Sequence, residues 1–173
     1  MEEKKRAADS LVTMTELVLP NDTNTLNNLM GGRMMHMMDI VSAISAQRHS
    51  NSIVVTASVD NVSFSNPIKL GNVVTLQAKV TRSFNTSMEV HILVWAEDIP
   101  SGTKIKSNEA FFTFVAVGPD NCPRKVPQVI PETEEEKQFY ESALRRRELR
   151  LMLAGRMKIE DAQSLRNLFK DIK

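Results

Sequence analysis

The segment from residue 30 to residue 47 constrains the fold more than any other part of the chain. It reads MGGRMMHMMDIVSAISAQ, contains no proline, and after its glycine pair is rich in Met, Ala and Ile. A helix of this sequence is apolar on nearly every face, so it must be buried on most sides. We predict a helix of about four turns that begins near Gly31 or Gly32.

Several segments around this helix have the residue pattern of β-strands. One precedes the helix and four longer ones follow it, joined by turns such as SFNTS and IPSG that suit antiparallel hairpins. A single helix that is apolar all round needs a sheet that curls around it. We therefore predict an α+β fold, with a long central helix wrapped by a curved antiparallel sheet of about five strands. The predicted strands are residues 13–19, 52–64, 72–82, 88–98 and 104–117.

The two ends of the chain lack this pattern. The charged start, MEEKKRAADS, predicts a flexible arm over residues 1–12 and no signal peptide. Near the other end, residues 132–153 are typical of a helix, because Thr133 and Glu136 have the spacing of a capping box. A second short helix is predicted over residues 158–172. The predicted organisation is thus an arm, a domain over residues 13–130 and a helical extension over residues 131–173.

Composition argues against several classes of protein. A net charge of +1 gives no bulk attraction for nucleic acid, and no apolar run approaches the roughly 18 residues of a membrane span. Cys122 is the only cysteine, so no intrachain disulfide forms and a cytoplasmic location is expected. One cysteine and three histidines also make a zinc site implausible, and no metal is predicted. Cys122 has no evident base nearby in the sequence, which argues against its use as a nucleophile.

Four residues at the start of the helical segment are candidate catalytic residues: Asn28, Gly31, Gly32 and Asp39. The glycine pair removes side-chain bulk where the free N–H groups of a helix point outward, so a carbonyl oxygen can approach and be polarised. Asn28, just before this turn, can position a water or a carbonyl. Asp39 lies among apolar neighbours, where a carboxylate is costly unless it is partnered or used as a general base.

The same residues also allow a purely structural interpretation. Asn28 can be a helix cap, and Asp39 can pair with Arg33 or His36 on the same helix. His36 can orient Asp39 or serve as a half-buried spacer. The methionines around it suit an adaptable core better than a cofactor site.

Four stretches of the chain resemble, in the same order, the hotdog-fold acyl-CoA thioesterases. That group contains bacterial short-to-medium-chain enzymes and the mammalian cytosolic and brain acyl-CoA hydrolases. The stretches are NLMGGRMMHMMD, AQRHS, FNTSMEV, and FFTFVAV followed by PRKVP. The first is similar to the N-x-x-G-G motif of the family with its later acidic residue. One position departs from the family, because Met30 stands where a histidine is common.

The resemblance implies a hotdog fold and the hydrolysis of acyl-CoA to free fatty acid and CoA, with no metal and no cofactor beyond the CoA of the substrate. It implies that Asp39 activates the water as general base and that Asn28 positions the water or thioester. The N–H groups around Gly31 and Gly32 would polarise the carbonyl. It also implies a site between subunits, where Asn28 of one chain faces Asp39 of another, in at least a dimer and usually a trimer of dimers.

The resemblance further implies that the CoA portion passes Thr86, Ser87 and Met88. The candidate contacts to its phosphates, chosen by charge, are Arg82, Lys104, Lys106 and Arg124. Two other functions stay open on the same fold. One is a non-catalytic acyl-CoA-binding protein. The other is a dehydratase or hydratase, which needs a histidine paired with a carboxylate and has only His36 near the candidate site.

Overall fold

The computed structural model describes residues 3–170 of the chain. It contains one long helix near the start, five strands that form one sheet, two very short strands and a helical C-terminal part. The strands are β1 (Lys4–Arg6), β2 (Val12–Leu17), β3 (Ile53–Phe64), β4 (Val73–Ser83), β5 (Ser87–Asp98), β6 (Thr103–Val117) and β7 (Gln128–Ile130). The helices are α1 (Gly31–Ser50), α2 (Glu134–Leu153) and α3 (Gln163–Lys170).

The main sheet has the strand order β2-β4-β5-β6-β3, and all of its neighbouring strands are antiparallel. Because side chains alternate along a strand, one face of the central strands β4, β5 and β6 is mainly apolar and buried. On β4 that face carries Val74, Leu76, Ala78 and Val80, each 0% exposed. Helix α1 lies in contact with β2 to β6 and supplies the other half of the core through Met34, Met37, Met38 and Val41.

The five predicted strands and the predicted central helix are all present, each with ends within about three residues of the prediction. Helix α1 begins at Gly31, as predicted, and continues three residues beyond Gln47. It stops because Asn51 adopts a left-handed conformation (φ 50°) and its N–H bonds back to Gln47 O. The helix is not buried on every side, since Ile40 and Ile44 are 38% and 39% exposed.

The prediction of a flexible N-terminal arm differs from the structure. Residues 4–6 form β1, which pairs in parallel with β7, and Ala7–Ser10 form a 3-10 helix. Ser10 is buried, and its hydroxyl accepts a hydrogen bond from Val80 N at 2.9 Å. The sequence does not reveal this pairing, because a three-residue strand has no periodicity and its partner lies more than 120 positions away along the chain.

The chain divides after Ile130 into two compact units. In the second unit the predicted capping box is present: Thr133 Oγ1 accepts from Glu136 N at 3.1 Å and Glu136 Oε2 accepts from Thr133 N at 3.3 Å. The buried Glu148 of α2 accepts hydrogen bonds from the first N–H groups of α3, Leu165 N at 2.7 Å among them. Part of the predicted second helix, residues 171 and 172, lies outside the described residues. No helix in residues 3–170 is long and apolar enough to cross a membrane.

Strand β3 forms one open edge of the main sheet. Three of its large apolar side chains are exposed, since Ile53 is 67%, Val55 49% and Val59 37% exposed. Two register shifts interrupt its pairing with β6. An edge strand with exposed apolar side chains is a surface on which another chain can pair or pack.

Candidate active site

The first turn of α1 has no side-chain cap. Met30 occupies the cap position in an extended conformation, and its side chain accepts no hydrogen bond. The first intrahelical bond runs from Met34 N to Met30 O, so the N–H groups of Gly31, Gly32 and Arg33 have no acceptor within the helix. Both glycines are exposed. The turn therefore presents accessible donors at the positive end of the helix dipole, as the sequence predicts.

The loop before α1 is held by an asparagine turn. Asn24 Oδ1 accepts hydrogen bonds from Leu26 N at 2.9 Å and Asn28 N at 3.2 Å, and Asn24 N donates to Asn28 O at 2.8 Å. Asn27 adopts a left-handed conformation (φ 55°), which asparagine tolerates well. Leu29 N donates to Ile68 O at 2.7 Å and ties the loop to the segment after β3. Both Asn24 and Asn28 are thus fixed beside the helix start.

A cavity of about 330 Å³ opens next to this turn. It combines four asparagines with apolar side chains and the backbone of the first glycine. Phe64 forms part of its wall, and its ring lies 3.5 Å from where a Cβ on Gly31 would stand. The lining residues are Asn24, Asn28, Leu29, Gly31, Met34, Phe64, Asn66, Pro67, Ile68 and Asn108.

Asp39 is half-buried on α1 and does not line this cavity. Its Oδ1 accepts a hydrogen bond of 2.7 Å from the hydroxyl of Thr56 on β3. It has no ion pair with Arg33, which instead contacts Asp22 at 2.9 Å and Glu16 at 3.1 Å. His36 is exposed. The carboxylate is therefore held by a neutral donor, and neither same-helix pairing that the sequence allows is formed.

The candidate catalytic residues fall into two groups within one chain. Asn28, Gly31 and Gly32 lie at the helix start, whereas Asp39 is eight residues further along, about 12 Å of helix rise from Gly31. The structure thus brings Asn28 and Gly31 together at one cavity and leaves Asp39 outside it.

The predicted CoA contacts are also spread out. Thr86 and Ser87 lie at the β4–β5 turn, and Thr86 O accepts from Ala116 N at 2.9 Å. This end of the sheet is close to the C-terminal end of α1, because His49 Nε2 is bonded to Pro127 O and Val126 N donates to Asn85 O. Helix α1 is about 30 Å long, so this turn is remote from Gly31 in the same chain.

The basic candidates divide in the same way. Arg82 lies beside that turn with its guanidinium 5.8 Å from the centre of the Phe84 ring, and Arg124 N donates to Ala116 O. Lys104 and Lys106 lie near the other end of the sheet, roughly 20–26 Å from Arg82 and 33–40 Å from Arg124 along the strands. The four cannot therefore contact one phosphate group within a single chain. Met88 is fully buried, so its side chain belongs to the core.

The chain does contain a histidine paired with a carboxylate, but it lies elsewhere. His91 Nε2 is 2.6 Å from Glu109 Oε1, and the His91 ring stacks on Phe111 at 4.9 Å between centroids. Burial opposes ionisation of Glu109, but hydrogen bonds from Lys106 and His91 outweigh it and lower the pKa of this carboxyl. Along β5 and β6 these residues alternate with the fully buried Val90 and Phe112, so they occupy the face of the sheet that points away from α1.

Comparisons with known proteins place this architecture in a family. Residues 26–103 match the model of the thioesterase superfamily. A protein of Bacillus subtilis described as an uncharacterised acyl-CoA thioester hydrolase is 40% identical over 83% of this chain and 84% of its own. The crystal structure of an apo-hexameric acyl-CoA thioesterase has a TM-score of 0.86 and 40% identity over 88% of this chain and 97% of the other.

A third match is the acyl-CoA hydrolase of Staphylococcus aureus, solved with butyryl-CoA, CoA and CoA disulfide. It has a TM-score of 0.82 and 34% identity over 95% of this chain and 98% of the other. The chain therefore belongs to the thioesterase superfamily, within its acyl-CoA thioester hydrolases. The predicted hotdog fold and the predicted class of enzyme are confirmed.

The Staphylococcus enzyme has also been solved as three alanine variants that point to residues the sequence did not single out. They replace an aspartate, a threonine 17 positions after it and an asparagine 15 positions before it. In this chain Thr56 lies 17 positions after Asp39 and Asn24 lies 15 before it, whereas Asn28 lies 11 before it. The spacing of the three replaced residues thus coincides with Asn24, Asp39 and Thr56 in this chain, and not with Asn28.

Neither residue carries a clear signal in the sequence. Asn24 belongs to the run NDTNTLNN, in which residue type does not distinguish one asparagine from another. Thr56 is one of many threonines in strands, and only the packing of β3 against α1 places its hydroxyl on Asp39.

Proposed function

We propose that this chain hydrolyses acyl-CoA thioesters to fatty acid and CoA, with a water activated by Asp39 at a site that two copies of the chain complete together. The observation that carries the proposal is the bond between Thr56 and Asp39, at the spacing of the threonine and aspartate replaced in the Staphylococcus acyl-CoA hydrolase. Membership of the acyl-CoA thioester hydrolases supports the substrate class.

In this mechanism Asp39 takes a proton from a water, and the water oxygen attacks the thioester carbonyl carbon. The negative charge that develops on the carbonyl oxygen is stabilised by the N–H groups of Gly31 and Gly32, which have no competing acceptor in their helix. When the C–S bond breaks, the proton held by Asp39 passes to the leaving sulfur. The Thr56 hydroxyl holds the carboxylate in one orientation throughout.

The asparagine of the site is proposed to be Asn24. Its Oδ1 is occupied by two backbone N–H groups, which leaves its Nδ2 to donate to the water or to the thioester carbonyl. Asn28 lines the same cavity, and its part in positioning the water or thioester stays a prediction.

A site shared by two chains explains why the two groups of residues are separate within one. The helix start and Asp39 are about 12 Å apart, and Asp39 lies beside the exposed Ile40 and the open edge strand β3. Pairing of two copies along this edge would cover the apolar side chains of β3 and bring each Asp39 towards the helix start of the other copy. The hexameric relative supports a homo-oligomer, for which we propose a trimer of dimers.

The same arrangement accommodates the predicted CoA contacts. Arg82, Thr86 and Ser87 lie about 30 Å from Gly31 of their own chain, so we propose that a substrate held at that turn reacts at the glycine pair of another chain. The absence of any cofactor beyond the CoA of the substrate, and a cytoplasmic location, stay predictions.

The test is thiol release from a panel of acyl-CoAs by the wild type and by Asp39→Ala. Loss of a general base lowers turnover by about 10²- to 10⁴-fold. The variant should therefore bind CoA normally in calorimetry while its rate falls by that factor. Asn24→Ala and Asn28→Ala, compared under the same conditions, decide between the two asparagines. Thiol release by Asp39→Ala at the wild-type rate would refute the assignment.

A further inference from the structure

Two of the asparagines in the cavity beside Gly31 are each fixed by a bond that leaves one defined polar atom unused. Two backbone N–H groups donate to the side-chain amide of Asn24, so the atom that accepts them is Oδ1. Its Nδ2 is then the atom available to donate. Asn66 faces the carbonyl of Lys106 at 3.1 Å, so the atom on that side is its nitrogen. Its Oδ1 remains as an acceptor that no hydrogen bond from the described residues occupies.

The position of Asn66 is itself well supported. The Ser107 hydroxyl lies 2.9 Å from the Asn66 backbone carbonyl and 2.7 Å from Asn108 Oδ1, and Asn108 Nδ2 donates to Ser63 O at 2.7 Å. Asn108 is 2% exposed, so this small network is anchored in the interior. This network holds the backbone of Asn66, and the bond from its Nδ2 to Lys106 O orients the exposed side-chain amide before any ligand binds.

The cavity has the size of one part of an acyl-CoA and not of the whole molecule. Its volume of about 330 Å³ is at the small end of ligand pockets. Its lining mixes asparagine amides with apolar side chains, so it can hold an amide together with the methylenes beside it. In a CoA thioester only five bonds separate the carbonyl oxygen from the nearest amide nitrogen. A carbonyl held at Gly31 thus places that amide within the same cavity.

We propose that Asn66 Oδ1 accepts a hydrogen bond from the amide N–H nearest the sulfur of the substrate, which makes Asn66 a specificity-determining residue for thioesters of the pantetheine arm. This inference rests on the proposed function. It assigns the asparagine-lined cavity to the thiol side of the substrate, so the acyl chain lies elsewhere, and Phe64 packs against the methylenes between sulfur and amide.

The test uses three butyryl thioesters: those of CoA, of N-acetylcysteamine, which keeps the amide, and of ethanethiol, which lacks it. Asn66→Ala should lose about five- to tenfold in kcat/KM on the first two and keep its rate on the third, as expected for one lost hydrogen bond. Ser65→Ala is the matched control, since Ser65 is an exposed neighbour that does not line the cavity. It should behave as wild type on all three.

An equal loss on all three substrates would show that Asn66 only supports the structure. A change in preferred acyl length of Asn66→Ala, measured on the panel of acyl-CoAs, would place the acyl chain in the cavity. Either result overturns the inference. Calorimetry with pantetheine, which has the amide but no acyl group, measures the same contact without turnover, and Asn66→Ala should weaken its binding by a similar factor. If the wild type releases no thiol, the proposed function fails, and the pantetheine titration alone decides the inference.

Discussion

At the scale of single residues, the partner of Asp39 decides what the carboxylate can do. An ion pair with Arg33 would make the carboxylate a weaker base, whereas the hydrogen bond from the Thr56 hydroxyl fixes its orientation through a neutral donor. The sequence identifies Asp39 from its position in an apolar helix. It cannot identify Thr56, because the contact joins two elements through packing.

Replacing Thr56 with Val removes the hydroxyl and keeps the shape of the side chain. A hydrogen bond to a charged group contributes about 1.5–3 kcal/mol, so kcat should fall about 10- to 100-fold with little change in KM. Thr56→Ser, which retains the donor, should recover most of the rate. Steady-state thiol release measures both, and an unchanged kcat in Thr56→Val would remove Thr56 from the site.

A second residue-scale prediction concerns stability. His49 is 1% exposed, and its Nδ1 is buried without a hydrogen-bond partner. Burial lowers the pKa of His49, against the opposing effect of its bond to Pro127 O. Above about pH 6.5 His49 is neutral in the folded and in the unfolded chain, so its ionisation does not affect the free energy of unfolding. Below that pH the unfolded chain binds a proton at His49 more readily than the folded chain does. The free energy of unfolding therefore decreases as the pH is lowered.

The variant His49→Gln isolates this contribution, because its amide can still donate to Pro127 O and does not titrate. The stability of the wild type relative to the variant should decline between pH 7 and pH 5, by at most about 1.4 kcal/mol per pH unit. Urea denaturation at several pH values measures the difference. A difference that is constant across this range would contradict the assignment of a neutral, buried His49.

At the scale of elements, two helices of the same chain begin in opposite ways. Helix α2 has a complete capping box, whereas α1 begins at an exposed glycine pair with no cap. A cap stabilises a helix start by about 1 kcal/mol, so its absence from α1 costs stability and leaves the N–H groups available. The starts of both helices were predictable, because a glycine pair and a capping box are local features of the sequence. Strands β1 and β7 were not predictable, because their pairing spans most of the chain.

Adding a cap to α1 tests directly whether the uncapped start lowers stability and keeps the N–H groups available. Met30 already has the extended backbone of a cap residue, so in Met30→Ser the hydroxyl can accept from Gly32 or Arg33 N–H. We expect the free energy of unfolding to rise by about 0.5–1 kcal/mol and kcat to fall about tenfold or more. Met30→Ala controls for the lost side chain. Full activity in a variant whose serine hydroxyl accepts from Gly32 N–H would show that this N–H group does not serve the reaction.

At the scale of the whole molecule, the need to bury α1 predicts the fold. The same constraint does not predict the arrangement of the site residues. Strand positions were predictable from periodicity because each strand has one buried face. The relation between Gly31, Asp39 and the β4–β5 turn was not predictable in this way, since it depends on how far apart α1 holds them. The structure spreads these residues over about 30 Å of one chain, and this spread is the observation behind our proposal of a site made by two copies.

The most direct test of a shared site is complementation between two inactive variants. Asp39→Ala and Asn24→Ala are co-expressed, so that mixed pairs contain one site with both native residues and one with neither. With random pairing the mixture should regain about a quarter of the wild-type thiol release per chain, while each variant alone stays inactive. A mixture no more active than its separate components would contradict the account, because it would place Asp39 and Asn24 in the same site of one chain.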